Sequence, residues 1–320
     1  MLKYLLKRTL IMLPQIVLLG LVIFFLSNHA VVGEEREPIF NANLLAVDSI
    51  QDMFAHIMNS VHDYFTWLGG FLQGDWGRSR RFQLPVMDLI RWRLYNTVYL
   101  SILALGIMYM MAIPMALICA KNNGKWKERL LTSISYVGFA VPMFTFTLLA
   151  IYIFAFRLRW LPSGGSVPPG MGAGMQGYWL ARLRHMILPA FCIAAVNMAP
   201  TFHYLKTEMT QMSLHLMSIT ARAKGCSESR VYNKHIFRNS LLPITASFGY
   251  QMAALLGGTI FVEMLFSYPG MGVLLLTALR DGDQAVIGAL GLMYASATII
   301  GSCLSDVMTA WVDPRIRLKS

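Results

Sequence analysis

The residues able to do chemistry in this chain are few, and none of their spacings builds a catalytic centre. Seven histidines (29, 56, 62, 185, 203, 215 and 235) show no His-Glu-x-x-His or comparable ligand spacing, and no Gly-x-Ser-x-Gly turn presents a nucleophilic serine. The Gly124-Lys125 pair lacks the upstream glycine and following hydroxyl of a phosphate-cradling loop. Cys119, Cys192, Cys226 and Cys303 form neither a Cys-x-x-Cys pair nor a disulfide framework. No catalytic, cofactor-binding or metal site is expected, so any energy-consuming step must be driven by a partner.

Three other groups stand out. The segment Ser218-Ile219-Thr220-Ala221-Arg222-Ala223-Lys224-Gly225, followed by His235-Ile236-Phe237-Arg238-Asn239-Ser240-Leu241-Leu242-Pro243, sets small residues beside basic ones and stops at a glycine. A short helix of that kind is a compact projection that another protein's groove could accept and push on. The same composition also fits a plain basic loop on the inner side of a membrane. Glu263 is an ionisable group inside an apolar block, either a functional group facing the bundle or a watery cavity, or a helix-end residue supporting the turn at Phe266-Ser267-Tyr268-Pro269-Gly270. Asn197 and Tyr204, with His203 between them, could face a solute path or hydrogen-bond neighbouring helices. Asp306 reads as structural, and the 22 methionines fit gap-filling between helices or a cavity tolerant of varied shapes.

The elements that must carry these groups are set by hydrophobicity. Of 320 residues, 56% are hydrophobic and 13% charged, against roughly 25% charged in soluble domains. Six apolar blocks, at 10–26, 98–120, 130–156, 186–205, 241–266 and 286–312, are long enough for the roughly 20 helical residues that cross a bilayer. Pro114, Pro142, Pro189, Pro200, Gly257 and Gly258 interrupt them, which suits a packed bundle whose neighbours satisfy freed backbone groups. The basic start, Met1 to Arg8, leads into an apolar run without a small-x-small cleavage site, and reads as a retained first span. With the N-terminus inside, internal segments hold 16 Lys and Arg and external ones 11, the positive-inside arrangement, although Arg157, Arg159, Arg182 and Arg184 fall on the outer side. The fold class is therefore all-α, a membrane protein of six transmembrane helices with both termini cytoplasmic. The net charge of +11 is spread between the blocks rather than gathered on one element, which argues for topology and against a nucleic-acid partner.

The chain divides into an N-terminal segment and first span (1–28), an external helical insertion (29–94), and a five-span core (95–320) with a cytoplasmic loop at about 206–240. Within the insertion, Ile50, Met53, Phe54, Ile57, Met58, Val61, Tyr64, Phe65 and Leu68 recur at helical spacing, so an amphipathic helix is expected there. Pro85 suits the start of another that feeds through Arg91-Trp92-Arg93 into the second span.

Thr220-Ala221-Arg222-Ala223-Lys224-Gly225 followed by His235-x-x-Arg238-Asn239 closely resembles the cytoplasmic loop of the dipeptide, oligopeptide and nickel permeases of ABC importers. In order along residues 74–317, further stretches resemble family landmarks: Gly74-Asp75-Trp76-Gly77-Arg78-Ser79, Arg93-Leu94-Tyr95-Asn96-Thr97, Trp160-Leu161-Pro162-Ser163-Gly164-Gly165, Arg184-His185-Met186-Ile187-Leu188-Pro189, Glu263 to Gly272, and Asp313-Pro314-Arg315-Ile316-Arg317. The resemblance implies the type I importer permease fold, with Thr220 to Gly225 as the coupling helix that docks on an ATPase. It also implies a second homologous permease chain, two ATP-binding subunits, an extracytoplasmic solute-binding protein and alternating access. The cargo implied is dipeptides or oligopeptides, with nickel chelates, glutathione or opines as alternatives. The sequence departs from the family at Val32-Gly33-Glu34-Glu35-Arg36-Glu37-Pro38, where a Pro-Gly-Asp-Pro-like turn is usual, and at Ile219, where the general signature has an acid. An ion-coupled secondary carrier would need intramembrane relays and usually an internal repeat; the chain offers Glu263 and Asp306 and no repeat. A membrane hydrolase would need a nucleophile and base in facing spans.

Overall fold

The computed structural model describes residues 10, 12, 14–24 and 50–312. The basic N-terminus, the departure at 32–38 and the landmark at 313–317 lie outside the described residues. In chain order the principal helices are α1 (Pro14–Phe24), α2 (Ile50–Leu72), α3 (Val86–Lys121), α4 (Trp126–Ala140), α5 (Met143–Ala150), α6 (Tyr178–Ser213), α7 (Leu216–Ala223), α8 (Leu242–Gly258), α9 (Ile260–Leu265), α10 (Met271–Asp281) and α11 (Gln284–Val312). A π-helical turn, Ile151–Arg157, extends α5, and a second, Val231–Ile236, sits between short helical turns at Glu228–Arg230 and Phe237–Ser240.

Among the described residues, four helical stretches are long and apolar enough to cross a bilayer: α3, α6, the α8–α9 run Leu242–Leu265, and α11. A fifth counts if α4 and α5 with its π extension form one span. The third apolar block is thus not the single straight helix its hydrophobicity suggests, since it bends by 101° at Val141-Pro142. The cause is local. Proline has no N–H to donate and its ring disfavours helical backbone at the preceding residue. Val141 is accordingly extended, at φ −77° and ψ 123°. Pro114, Pro189 and Pro200 are absorbed inside α3 and α6 without ending them. Of the first block, α1 is described over Pro14–Phe24. The helix expected in the insertion is α2, and Pro85 precedes α3 directly.

The chain packs as two compact units, residues 1–96 with 270–300 and residues 97–269 with 301–320. In the first, Val86, Ile90, Met271, Leu274, Val286 and Leu290 form the core. Tyr64 of α2 is fully buried and donates its hydroxyl to the Val17 carbonyl at 2.9 Å, holding α1 against α2. Trp67, Phe71 and Trp76 continue that contact as an aromatic ladder, Phe71 stacking on Trp76 at 4.4 Å. The landmark at 74–79 is a joint. Gly74 and Gly77 take φ of +93° and +74°, the Ser79 hydroxyl donates to Asp283 at 2.5 Å, and Arg81 pairs with Asp281. That clips the turn to the corner between α10 and α11.

In the second unit α6 is the central helix, and Cys192, Ile193, Phe202, Leu205 and Met209 along it are all buried. Its N-terminal half packs with Leu100, Ala150, Val262 and Phe266, its C-terminal half with Met108, Ala112, Cys119, Val231 and Ile236. Toward the C-terminal end of α6, Lys206 pairs with Glu128 and donates to Thr132 at 3.0 Å, tying it to α4. Gly249 of α8 lies against the backbone of Gly301 in α11, and its N–H donates to the Ser305 hydroxyl at 2.8 Å.

Candidate functional site

The segment 218–225 folds as the end of a helix that begins earlier than its signature suggests. α7 starts at Leu216 and stops at a glycine: Gly225 adopts φ +77°, its N–H reaches the Arg222 carbonyl at 2.9 Å, and Cys226 N–H reaches the Ala221 carbonyl at 3.2 Å. This paired closure is the Schellman arrangement, which favours glycine because a side chain strains the left-handed backbone.

One side of α7 is anchored. Ser218 is fully buried and donates to the Met212 carbonyl at 2.7 Å, and Ala221 joins the core beside Val231 and Ile236. Tyr232 donates its hydroxyl to the Ala120 carbonyl at 3.1 Å, and Lys121 donates to Asn233 at 2.9 Å, fixing the following turn to the C-terminal end of α3. Arg222 belongs to this anchored side. Its guanidinium donates to both Glu228 oxygens, at 2.7 and 3.3 Å, and to the Ser213 carbonyl at 3.0 Å. Those hydrogen bonds from Arg222 hold the Glu228 carboxyl below its ordinary range. Arg222, which lies within the helix that the sequence singled out, also ties the loop together through these bonds.

The other side is exposed and mainly apolar. Leu214, Leu216 and Ile219 are 77%, 74% and 51% exposed, and Thr220, Ala223 and Lys224 are exposed beside them. Leu214 and Leu216 were missed because they precede the signature; their spacing with Ile219, at the front of a helix ended by glycine, was the available signal.

Glu263 sits elsewhere. It is fully buried, and its Oε1 accepts hydrogen bonds from Thr97 at 3.0 Å and Thr259 at 2.8 Å. Four sequence landmarks meet around it. Thr97 ends the first; Gly165 of the second donates its N–H to the Phe266 carbonyl at 2.7 Å; His185 of the third contacts the Gly164 carbonyl at 2.9 Å through Nδ1; Arg184 donates to the Trp160 carbonyl at 3.1 Å. Gly164 passes so close to Phe266 that a Cβ would lie 2.5 Å from its carbonyl oxygen. Ser267 takes φ +47°, and the buried Tyr268 donates its N–H back to the Glu263 carbonyl at 2.7 Å. Burial pushes the Tyr268 phenol up to about 12. Arg182, nearly buried, lies 4.6 Å over the Tyr99 ring and donates to the Tyr178 hydroxyl at 3.0 Å.

Asn197 and Tyr204 share a different surface, the exposed face of α6 that continues through Pro200, Thr207 and Gln211. Asn197 donates to the Ile193 carbonyl of its own helix at 2.8 Å. Tyr204, 60% exposed, lines a cavity of about 400 Å³ with Thr201 of α6 and Ser247 and Gln251 of α8. Gln251 bridges the two helices, accepting from Tyr109 at 2.6 Å and donating to Thr201 at 3.3 Å. Tyr250, 63% exposed on α8, was not singled out by sequence. The structure thus brings Asn197 and Tyr204 onto one face and leaves Glu263 buried beside Val262 and Phe266, on the packed side of α9. Among the described residues, no three His, Cys, Asp or Glu side chains group as metal ligands.

Several apolar spanning helices, a buried polar joint and a short exposed helix define a polytopic membrane protein of the ABC transporter permease class. The fold agrees. A chain of the methionine ABC transporter MetNI, solved in inward-facing conformations, aligns with a TM-score of 0.56 at 12% identity, over 71% of this chain and 97% of that one. Residues 112–318 match the family described as the binding-protein-dependent transport system inner membrane component, and the chain belongs to it. It is 33% identical over 320 residues to the oligopeptide transport system permease protein AppB of Bacillus subtilis, covering 99% of each chain. It is 29% identical over 321 residues to the glutathione transport system permease protein GsiC of Escherichia coli K12, covering both chains in full. The chain is an ABC importer permease subunit of the peptide and nickel family, a multi-pass protein of the bacterial cytoplasmic membrane.

Proposed function

We propose that this chain is one of two membrane halves of an importer that carries dipeptides or oligopeptides delivered by an extracytoplasmic solute-binding protein, and that two ATP-binding subunits drive it. It has no ATPase site of its own in this reading. Six spans place both termini in the cytoplasm, 1–28 holds the first span, 29–94 forms the external insertion, and 95–320 is the core. The observation that carries the reading is α7: its outer face offers Leu216, Ile219, Thr220 and Ala223 to a groove, while its inner face is bonded to the bundle. A partner closing on that face moves the ends of α6 and the 228–240 stretch with it. The helices then re-pack between two arrangements that ATP and solute favour differently.

The solute path in this reading runs along the face of Asn197 and Tyr204, with Thr201, Ser247 and Gln251 as further hydrogen-bonding groups. Glu263 supports that path from behind by fixing the outer ends of the helices, since it is closed off from the cavity by packing. Peptide cargo rests on the relative named as an oligopeptide permease; the relative named as a glutathione permease favours glutathione as a second cargo. Nickel chelates and opines are further candidates from the family resemblance.

The test replaces Leu216 and Ile219 together by aspartate and asks whether a tagged chain still brings down ATP-binding subunits. The expected result is loss of association and of uptake, with membrane insertion and thermal stability unchanged. Normal association, or solute flux driven by an ion gradient in liposomes holding this chain alone, overturns the reading. Uptake assays with the cognate binding protein, comparing dipeptides, longer peptides, glutathione and nickel chelates, identify the cargo.

A further inference from the structure

The first unit holds a cavity of about 570 Å³, bordered by α1, α2, the 74–79 turn and the start of α11. Its size is that of a small-ligand site. Nothing in the coupling or path readings uses it. Its walls include the indoles of Trp67 and Trp76, and its charged lining groups are Asp63 and Asp75. Gly70 and Gly77 contribute backbone alone on that lining, and Gly77 needs its φ of +74° to turn there.

The state of the polar groups decides the ligand class. The Trp76 indole N–H, an obvious donor, is committed to the Phe71 carbonyl at 3.2 Å. The Thr66 hydroxyl donates to the His62 carbonyl at 3.0 Å, which leaves its oxygen as an acceptor. One Asp75 oxygen takes the Gly77 N–H at 3.0 Å, leaving the second for a ligand. Two carboxylates, a hydroxyl oxygen, the Gln284 amide, which can accept as well as donate, and two electron-rich indoles in one cavity, with no cationic side chain on the lining, select a donor-rich cation. A bare metal ion gains little from indole walls. An organic ammonium gains from both the carboxylates and the rings.

We infer that this cavity of the first unit binds an alkylammonium group, Asp63 and Asp75 supplying the charge and Trp67 and Trp76 the aromatic walls. Two sources carry that group to a membrane importer: the amino terminus of a peptide, and the headgroup of phosphatidylethanolamine.

The test uses the full chain labelled with 5-fluorotryptophan in phosphatidylglycerol nanodiscs, read by fluorine NMR, with the Trp67 and Trp76 signals assigned by single Trp→Phe variants. Methylammonium is expected to shift both signals saturably, while tert-butanol does not. The double variant Asp63→Asn, Asp75→Asn keeps the acceptor for Gly77 and is expected to weaken methylammonium binding by about 10-fold or more. Trp67 and Trp76 signals that keep their parent positions in the absence of methylammonium show that the first unit of the variant is folded. Discs containing phosphatidylethanolamine that block methylammonium identify the lipid as the source; a free dipeptide that competes while its N-acetyl form does not identifies cargo. An equal response to tert-butanol, unchanged affinity in the folded double variant, or competition by neither source overturns the assignment.

Discussion

Two carboxylates in this chain each hold a corner of it, in opposite surroundings. Glu263 is fully buried and gathers hydroxyls from Thr97, far away in sequence, and from Thr259, one helical turn away. Glu228 is largely exposed and meets Arg222, six residues away, on the loop that carries α7. The contrast separates what holds the bundle from what holds the helix proposed to meet a partner. A buried acceptor has no water to fall back on, so its loss is felt in full. An exposed ion pair exchanges with water and salt at little cost. The deep joint therefore bears on whether the helices assemble, and the exposed loop on the geometry of α7, the helix proposed to meet a partner.

The largest effect is expected at the deep joint. Glu263→Leu removes the acceptor of two buried hydroxyls, and each donor left unsatisfied costs about 1–3 kcal/mol, so a loss of about 3 kcal/mol is expected. Thermal unfolding in detergent, followed by size-exclusion monodispersity, measures it. Glu263→Gln keeps an acceptor and is expected to lie much closer to the parent. A Glu263→Gln protein of normal stability that has lost uptake breaks the comparison, because it gives the buried acid a direct role in transport.

Gly164→Ala comes next and probes the same joint from the other side. Its Cβ would sit 2.5 Å from the Phe266 carbonyl oxygen, and the Gly165 to Phe266 hydrogen bond must shift to admit it. Overpacking of this kind costs about 1–3 kcal/mol. The melting temperature should fall, by less than for Glu263→Leu, and a neutral result would mean that the 160–165 turn is free to move away from Phe266.

On α7 the order of stability and function reverses. Gly225→Trp strains the left-handed stop of an exposed helix, for which about 1 kcal/mol is a fair scale, yet uptake should be abolished because the docking face is reoriented. Solute-stimulated ATP hydrolysis in the assembled importer reads the coupling; normal stimulation in this variant removes α7 from the transmission path.

Much of this was legible in the residues. Apolar blocks gave the α3, α6, α8–α9 and α11 spans because a bilayer leaves helical backbone few alternatives. The glycine stop of α7 was readable because its cause is local, and Ala221, Lys224 and Gly225 fall where the signature put them. The bend at Val141-Pro142 was not drawn, although Pro142 was seen, because hydrophobicity alone cannot separate a kinked span from a broken one; Pro189 and Pro200 look alike in sequence and do not break α6. The bonds of Arg222 were not legible for a related reason. Its charge is visible in sequence, whereas its direction depends on where Ser213 and Glu228 fall in three dimensions. The meeting of four landmarks at Glu263 depends on pairings such as Thr97 with Glu263, which no local pattern encodes.

The smallest expected effect sharpens the comparison most cleanly, because it involves titration rather than packing. Arg222 holds the folded Glu228 carboxyl below its ordinary value, which for a free glutamate is about 4.3. A group whose folded value is depressed stabilises the fold above the ordinary value and loses that contribution as pH falls through the folded one. The Arg222 to Glu228 tie is therefore complete at neutral pH and lost progressively below about 4. Hydrogen exchange at Gly225 and Cys226, whose amides close the end of α7, reports the tie directly once intrinsic rates are corrected for pH. Between pH 5 and pH 3 their protection should fall in the parent protein and stay flat in Glu228→Gln, and 1 M salt should narrow the difference by screening. Equal pH dependence in both proteins would mean that α7 is held by Ser218 and the core beneath it alone, and that the exposed carboxylate contributes nothing to the geometry presented to a partner.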